Sequence, residues 1–149
     1  AKSYITTSRY YLGGYNNDPP ITNEMYGYER GTLRYNTDRP LFWEGIVGLM
    51  YPSDYGYAAG NTCVTGTKLY DYYGGCMNKD WLYISNTYQW LMPPYSGNSY
   101  FAFYVNSSGY VNYGYYVYNA SSARPVFYLT SSASISDGEG TLNNPYILK

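Results

Sequence analysis

Histidine is absent from the 149 residues. With it go the commonest general base and the commonest neutral metal ligand, so Ser-His-Asp, Cys-His and His-based zinc sites are excluded. Cysteine is nearly absent: Cys63 and Cys76 are too few for a structural zinc site and are not spaced as a CxxC redox pair. Charge is scarce at 13% of residues, with a net value of −1 and a pI near 5.2. No basic footprint exists to neutralise phosphates, which argues against nucleic acid and against an anionic membrane surface. Long apolar runs are missing too. Val47 to Met50 and Pro125 to Leu129 fall far short of the roughly 20 residues that cross a bilayer, so a soluble piece without membrane contact is expected.

Catalytic signatures are equally thin. Asp54 and Asp71 could in principle serve as acid and base in a glycosidase, but nothing in the sequence brings two carboxylates together. Asp137-Gly138-Glu139-Gly140 lacks the alternating oxygen ligands and closing Glu of an EF-hand loop, and a turn explains it better. No GxGxxG, Gly-Lys-Ser/Thr phosphate cradle or GxSxG element occurs. Asn106-Ser107-Ser108 and Asn119-Ala120-Ser121 match the glycosylation triplet, a short pattern that arises often by chance. The expectation is a non-enzymatic domain with no cofactor and no metal.

Tyrosine is what the chain has in abundance. Aromatics make up 21% of residues and 25 of them are Tyr, too aromatic a composition for disorder. The length suits one domain, residues 1–149, able to remove roughly two thirds of its unfolded surface from water. Three zones differ in composition. Residues 1–60 carry most of the charge, residues 61–80 form a loop around the cysteines, and residues 81–123 contain no Asp, Glu, Lys or Arg. The scaffold is therefore placed in 1–80 and 124–149, and the binding region in 81–123. Cys63 and Cys76, thirteen positions apart in a Gly/Thr/Asn/Asp-rich stretch, are expected to close a disulfide worth about 3 kcal/mol on the chain-entropy model. Such a bond points to an extracellular or cell-surface location.

Short β-type runs bounded by turn residues dominate: Tyr10-Tyr11-Leu12 before Gly13-Gly14, Phe101 to Val105, and Pro125 to Leu129. Asp137-Gly138 reads as a turn between Ser134-Ile135-Ser136 and Tyr146-Ile147-Leu148. The best helical candidate is Ser53 to Ala59, with Ser53 as N-cap, Asp54 at the positive terminus and Gly60 as stop. The class is then α+β with short irregular strands and one or two short helices.

Residues 81–118 carry ten tyrosines interleaved with Asn, Ser and Gly. Tyr supplies a rigid surface with a hydrogen-bonding tip, and the small polar residues supply adaptable contacts, as in antibody binding loops. Strand alternation turns Phe101, Phe103 and Val105 toward the core and Tyr100, Ala102, Tyr104 and Asn106 toward water or a partner. Val111 and Val117 are expected to anchor the next segment. Trp81, Trp90, Phe103, Val105 and the aliphatic positions of Pro125 to Leu129 are assigned to the core. The candidate ligand-binding residues are Tyr95, Tyr100, Tyr104, Tyr110, Tyr113, Tyr115, Tyr116 and Tyr118 as anchors, with Ser85, Asn86, Asn98, Asn106 and Asn112 as polar readers.

The order Trp43-Glu44-Gly45-Ile46-Val47-Gly48-Leu49-Met50-Tyr51-Pro52-Ser53-Asp54-Tyr55-Gly56-Tyr57-Ala58, then Cys63, Cys76, Asp80-Trp81-Leu82-Tyr83, Tyr88-Gln89-Trp90 and Ala123-Arg124-Pro125-Val126-Phe127-Tyr128-Leu129, resembles bacterial surface proteins with a C-type-lectin-like fold. More closely it resembles the variable proteins of diversity-generating retroelements, on the branch of the formylglycine-generating enzymes, including members joined to a type IV pilin-like N-terminal helix. The resemblance covers nearly the whole chain from about Tyr11. It implies that residues between Ser85 and Ser122 are rewritten by adenine-directed mutagenesis, with Trp81, Trp90 and Arg124-Pro125-Val126 as fixed scaffold. It also implies adhesion to a protein or glycan on another cell or host surface. The catalytic cysteine pair of the enzymatic cousins has no counterpart here. The Glu-Pro-Asn and Trp-Asn-Asp calcium motifs of calcium-dependent lectins are also absent. A structural pilin-like subunit that uses the aromatic face for self-assembly is the alternative.

Overall fold

The computed structural model describes residues 4–12, 15–30, 41–139 and 143–149. Gly13-Gly14 and Gly140, assigned to turns above, lie outside the described residues. The architecture is α+β, with few helices and short strands in small sheets. Strands β1 (Ile5–Thr6) and β2 (Ser8–Tyr11) lead to helix α1 (Thr22–Glu29), then β3 (Phe42–Gly45) and β4 (Gly48–Leu49). Helices α2 (Pro52–Ala58) and α3 (Asn61–Gly66) follow, and the cysteine loop leads to β5 (Gln89–Pro94), β6 (Phe101–Val105), β7 (Val111–Tyr116) and β8 (Ser122–Ala123). The chain continues through β9 (Pro125–Val126), β10 (Tyr128–Leu129), β11 (Ile135–Asp137) and β12 (Ile147–Leu148).

The largest sheet has the order β7-β6-β5-β8, antiparallel except for the β5–β8 pair. Among the described residues four two-stranded ribbons accompany it: β1–β10, β2–β3, β4–β9 and β11–β12. The expected pairing of the two late strands is present. Gly138, with φ +92, opens their connection where a side chain would meet the Pro145 backbone.

Helix α2 forms one residue earlier than expected. Tyr51 is its N-cap and Pro52 occupies the first turn, where a missing N–H costs nothing. Asp54 accepts a hydrogen bond from the Tyr51 N–H at 2.9 Å, closing the helix start. Ser53 is drawn away from capping because its N–H and hydroxyl both donate to the buried Glu29 of α1. Helix α1 has no strong apolar stripe in the sequence, since Thr22 and Glu29 take two of its three buried positions. It packs on α2 at Gly56, where an added Cβ would overlap the Thr22 side chain.

One face of the main sheet carries Leu91, Phe103, Val105 and Val111 into a core shared with Met25, Tyr55, Leu69 and Tyr72. Tyrosines serve in this interior because their hydroxyls reach backbone carbonyls. Tyr55 donates to Gly109 O at 2.8 Å, Tyr72 to Gly56 O at 3.1 Å and Tyr51 to Tyr11 O at 2.9 Å. Cys63 and Cys76 are joined as expected, with Cα atoms 5.7 Å apart, and both are buried.

Four core assignments are corrected. Trp81 is 75% exposed, because Asp80 Oδ1 accepts from Leu82 N at 2.9 Å and the resulting bend turns Leu82 inward and Trp81 out. Trp90 is only half-buried, on the sheet face opposite Leu91. Val117 is exposed, one residue beyond the end of β7. Pro125 to Leu129 is not one inward strand. It splits between β9 and β10, which pair with β4 and β1 respectively, so only Val126 packs on the core while Phe127 and Leu129 stay exposed. Phe103, Val105 and Val111 are buried as expected.

Candidate functional site

The face of the main sheet turned away from the core is aromatic and free of charged side chains from residue 81 to residue 123. Alternation along β5 sends Gln89 and Leu91 inward and Trp90 outward, and Trp90 stands opposite Tyr104 of β6. Tyr115 of β7 reaches the same face because of a bulge. Ala102 to Tyr104 spans two steps on β6 but opposes three steps, Asn112 to Tyr115, on β7. The extra residue lets Tyr113 point to the core side while Tyr115 points out. Asn112 holds the bulge, its Oδ1 accepting from the N–H groups of Tyr113 at 2.6 Å and Gly114 at 3.3 Å.

Tyr88, Trp90, Tyr104 and Tyr115 form one ring cluster. Tyr88 stacks on Tyr104 at 5.7 Å and on Tyr115 at 5.1 Å, Tyr104 and Tyr115 lie 4.9 Å apart, and Trp90 meets Tyr115 at 5.2 Å. These separations are the favourable range for aromatic pairs. Tyr104 is outward by alternation, as expected, yet only 8% exposed, because its own neighbours cover it. Burial pushes its hydroxyl up to about 12. It is a floor of the face, and the expectation that it is freely open to a partner is corrected.

A second cluster lies where β6 begins and β7 ends. Tyr116 and Tyr118 stack at 4.9 Å, Phe101 meets Tyr116 edge-on at 4.9 Å, and Val117 N donates to Tyr100 O at 3.0 Å. Tyr100, Tyr116 and Tyr118 are exposed, so this cluster presents its rings openly.

The remaining anchors go elsewhere. Tyr95 and Tyr113 stack at 4.3 Å and pack against the core, and the Tyr95 hydroxyl donates to Asn16 O at 2.9 Å. Tyr110 joins Tyr70 and Tyr73, at 5.7 and 4.8 Å, beside the cysteine loop. Among the polar readers, Ser85 and Asn86 are exposed, and Asn86 occupies the left-handed region at φ 56, which Asn tolerates better than most residues. Asn98 and Asn106 spend their Oδ1 atoms on their own turns, accepting from Tyr100 N and from Ser108 and Tyr110 N. Asn106 is buried, which corrects its outward placement.

The expected binding surface is thus divided into an outer-face cluster, an exposed end cluster and inward-packed tyrosines. Tyr88 and Trp90 were missed as members of the outer face. The alternation Gln89-Trp90-Leu91, an apolar residue flanking an aromatic one, carries the signal that would have placed Trp90. Among the described residues no group of His, Cys, Asp or Glu is arranged to hold a metal ion, and no helix is long and apolar enough to cross a membrane. Comparison with family models, curated proteins and solved structures returns no match.

Proposed function

We propose that this chain is an extracellular binding domain of the C-type-lectin-like type, a variable protein of a diversity-generating retroelement, that engages a protein or glycan on another cell or host surface. The observation that carries the reading is the charge-free aromatic face of the main sheet, continuous from Tyr88 and Trp90 through Tyr115 and neighboured by the open Tyr116–Tyr118 stack. Half-exposed rings gathered on one charge-free face, with the open rings of Tyr116 and Tyr118 beside them, favour a partner. Rings already locked in mutual stacks lose little entropy on contact, so recognition is reversible binding by preorganised anchors. No catalytic group takes part. The disulfide between buried cysteines supports an oxidising, extracellular setting.

The test is a triple substitution, Tyr88→Ala, Tyr115→Ala and Tyr116→Ala, probed on glycan and cell-surface protein arrays beside the parent chain. Array signals of the parent should vanish in the variant while the melting temperature moves by only about 2–6 °C. Retained signals would overturn the reading. The retroelement assignment is checked in the flanking DNA, where a near-copy of the codons for Trp81 to Arg124 beside a reverse transcriptase gene is expected.

A further inference from the structure

Away from the aromatic face, a cleft of about 360 Å³ opens between α2, the bend at Trp81 and the β9–β10 segment. Its size suits one ring bearing a small polar group. The floor is apolar, formed by Met50, Leu82 and Val126, and the rim carries the exposed rings of Trp81 and Phe127. A concave apolar floor with aromatic walls and a few fixed polar groups is the usual make-up of a small-ligand site.

Two guanidinium groups enter this cleft and they differ in how far they are satisfied. Arg30 is engaged by a carboxylate: it pairs with Asp54 at 2.5 Å, donates to Ser53 Oγ at 2.8 Å, and lies over the Tyr51 ring at 4.4 Å, although its buried Nε, like that of Arg124, has no partner among the described residues. Arg124 is not. Of its five N–H donors, Nη2 gives one bond to Leu82 O at 3.1 Å, while the buried Nε has no partner among the described residues. Among the described residues no carboxylate comes within ion-pairing distance of it. Asp80 interacts with it electrostatically without pairing: Oδ1 accepts from Leu82 N, the buried Oδ2 has no partner among the described residues, and burial pushes the group up to about 7, weakening its counter-charge. Arg124 is therefore a half-buried cation with donors to spare, facing a cleft whose one lining carboxylate, the half-buried Asp54, is already paired.

We propose that this cleft binds a ring-bearing carboxylate, the carboxylate accepting hydrogen bonds from Arg124 and the ring lying between Trp81 and Phe127. The guanidinium fork matches a carboxylate in geometry, and charge-assisted bonds of this kind are about twice as strong as neutral ones. The aromatic rim selects for a flat or cyclic body. Two sources share this chemistry, an aromatic amino acid with a free C-terminus and an acidic sugar. None of the cleft residues named belongs to the tyrosine face, so the site stands apart from the surface proposed above.

The experiment is calorimetric titration with N-acetylphenylalanine and with galacturonate, each beside its neutral counterpart, N-acetylphenylalaninamide and galactose. At least one acid should bind about tenfold or more tightly than its neutral partner, and which acid does so identifies the source. Arg124→Gln should remove that preference. Trp81→Ala, at a rim position 75% exposed where folding does not depend on the side chain, should weaken both acid and neutral ligands by about tenfold. Equal binding of acid and amide, an acid preference that survives Arg124→Gln in a variant whose circular dichroism is unchanged, or no binding of either acid would each overturn the proposal.

Discussion

Glu29 sits where a carboxylate keeps its charge only at a cost. It is fully buried in α1, its oxygens taken by the N–H and hydroxyl of Ser53, and burial pushes its pKa up to about 8 despite Ser53 and the neighbouring Arg30. In the unfolded chain the same group ionises near 4.5. Between those two values the folded state holds a proton that the unfolded state has lost, so stability falls as pH rises through that window. Asp80, pushed up to about 7 chiefly by burial, adds to the slope in the same direction. Thermal unfolding at pH 5, 7 and 9 should show a falling midpoint, with a loss of several kcal/mol across the range. Glu29→Gln keeps an acceptor for the Ser53 N–H and should flatten the profile. A midpoint that rises from pH 5 to pH 9 would contradict this account of the α1–α2 contact.

At the scale of elements, the cysteine pair shows what a bond of low sequence separation does for an irregular segment. Cys63 in α3 and Cys76 thirteen residues on are both packed in the core, and between them lie a 3-10 turn at Leu69–Asp71 and Gly74 at φ +51. An isolated bridge from Lys68 to Ile21 and backbone bonds from Leu69 and Tyr70 to Pro20 and Pro19 tie it to the rest of the fold, and the disulfide adds by limiting the freedom of the unfolded loop. Replacing both cysteines by Ser should lower stability by about 3 kcal/mol, visible as a drop of roughly 6–12 °C in the melting midpoint. The tyrosine triad Tyr70, Tyr73 and Tyr110 should loosen with it, seen as faster hydrogen exchange there than in β5 and β6. An unchanged midpoint in the reduced protein would show that core packing alone orders the loop. The disulfide, the α2 helix and the inward placing of Phe103 and Val105 were legible in the sequence because each rests on neighbours close in the chain, whereas Phe101, expected in the core, packs on Tyr116 at the end of the sheet. Trp81 was not, since a single Asp80 side-chain bond decides which way the bend faces. The inward turn of Tyr113 against the outward turn of Tyr115 depends on one extra residue in β7, and a bulge leaves little mark in a stretch where every other residue is Tyr, Asn or Gly. The α1 helix escaped for a related reason: two of its three buried positions are polar, and their partners, Tyr72 and Ser53, lie far along the chain.

For the whole molecule, two surfaces compete as sites of contact. One is the aromatic face of the main sheet. The other is the β11–β12 ribbon, where Ile135, Tyr146 and Ile147 are all exposed among the described residues, with Phe127 and Leu129 exposed on the segment leading to it. A net charge of −1 supplies little mutual repulsion between copies, and two-stranded ribbons leave unpaired edges that invite pairing. The chain is therefore expected to associate as its concentration rises, and the two surfaces can be separated by substitution. Ile135→Lys with Ile147→Lys places charge on the ribbon without touching the core, and should return the protein to a single sedimenting species while ligand capture on arrays is kept. The tyrosine triple variant should do the reverse, losing capture while still associating. If instead the tyrosine variant becomes monomeric and the lysine variant does not, the aromatic face joins copies of this chain. The structural, pilin-like subunit would then replace the binding domain as the better reading. Sedimentation velocity of each variant alone across about a hundredfold range of concentration distinguishes the two, because with no ligand present only self-association changes the sedimenting species by mass action.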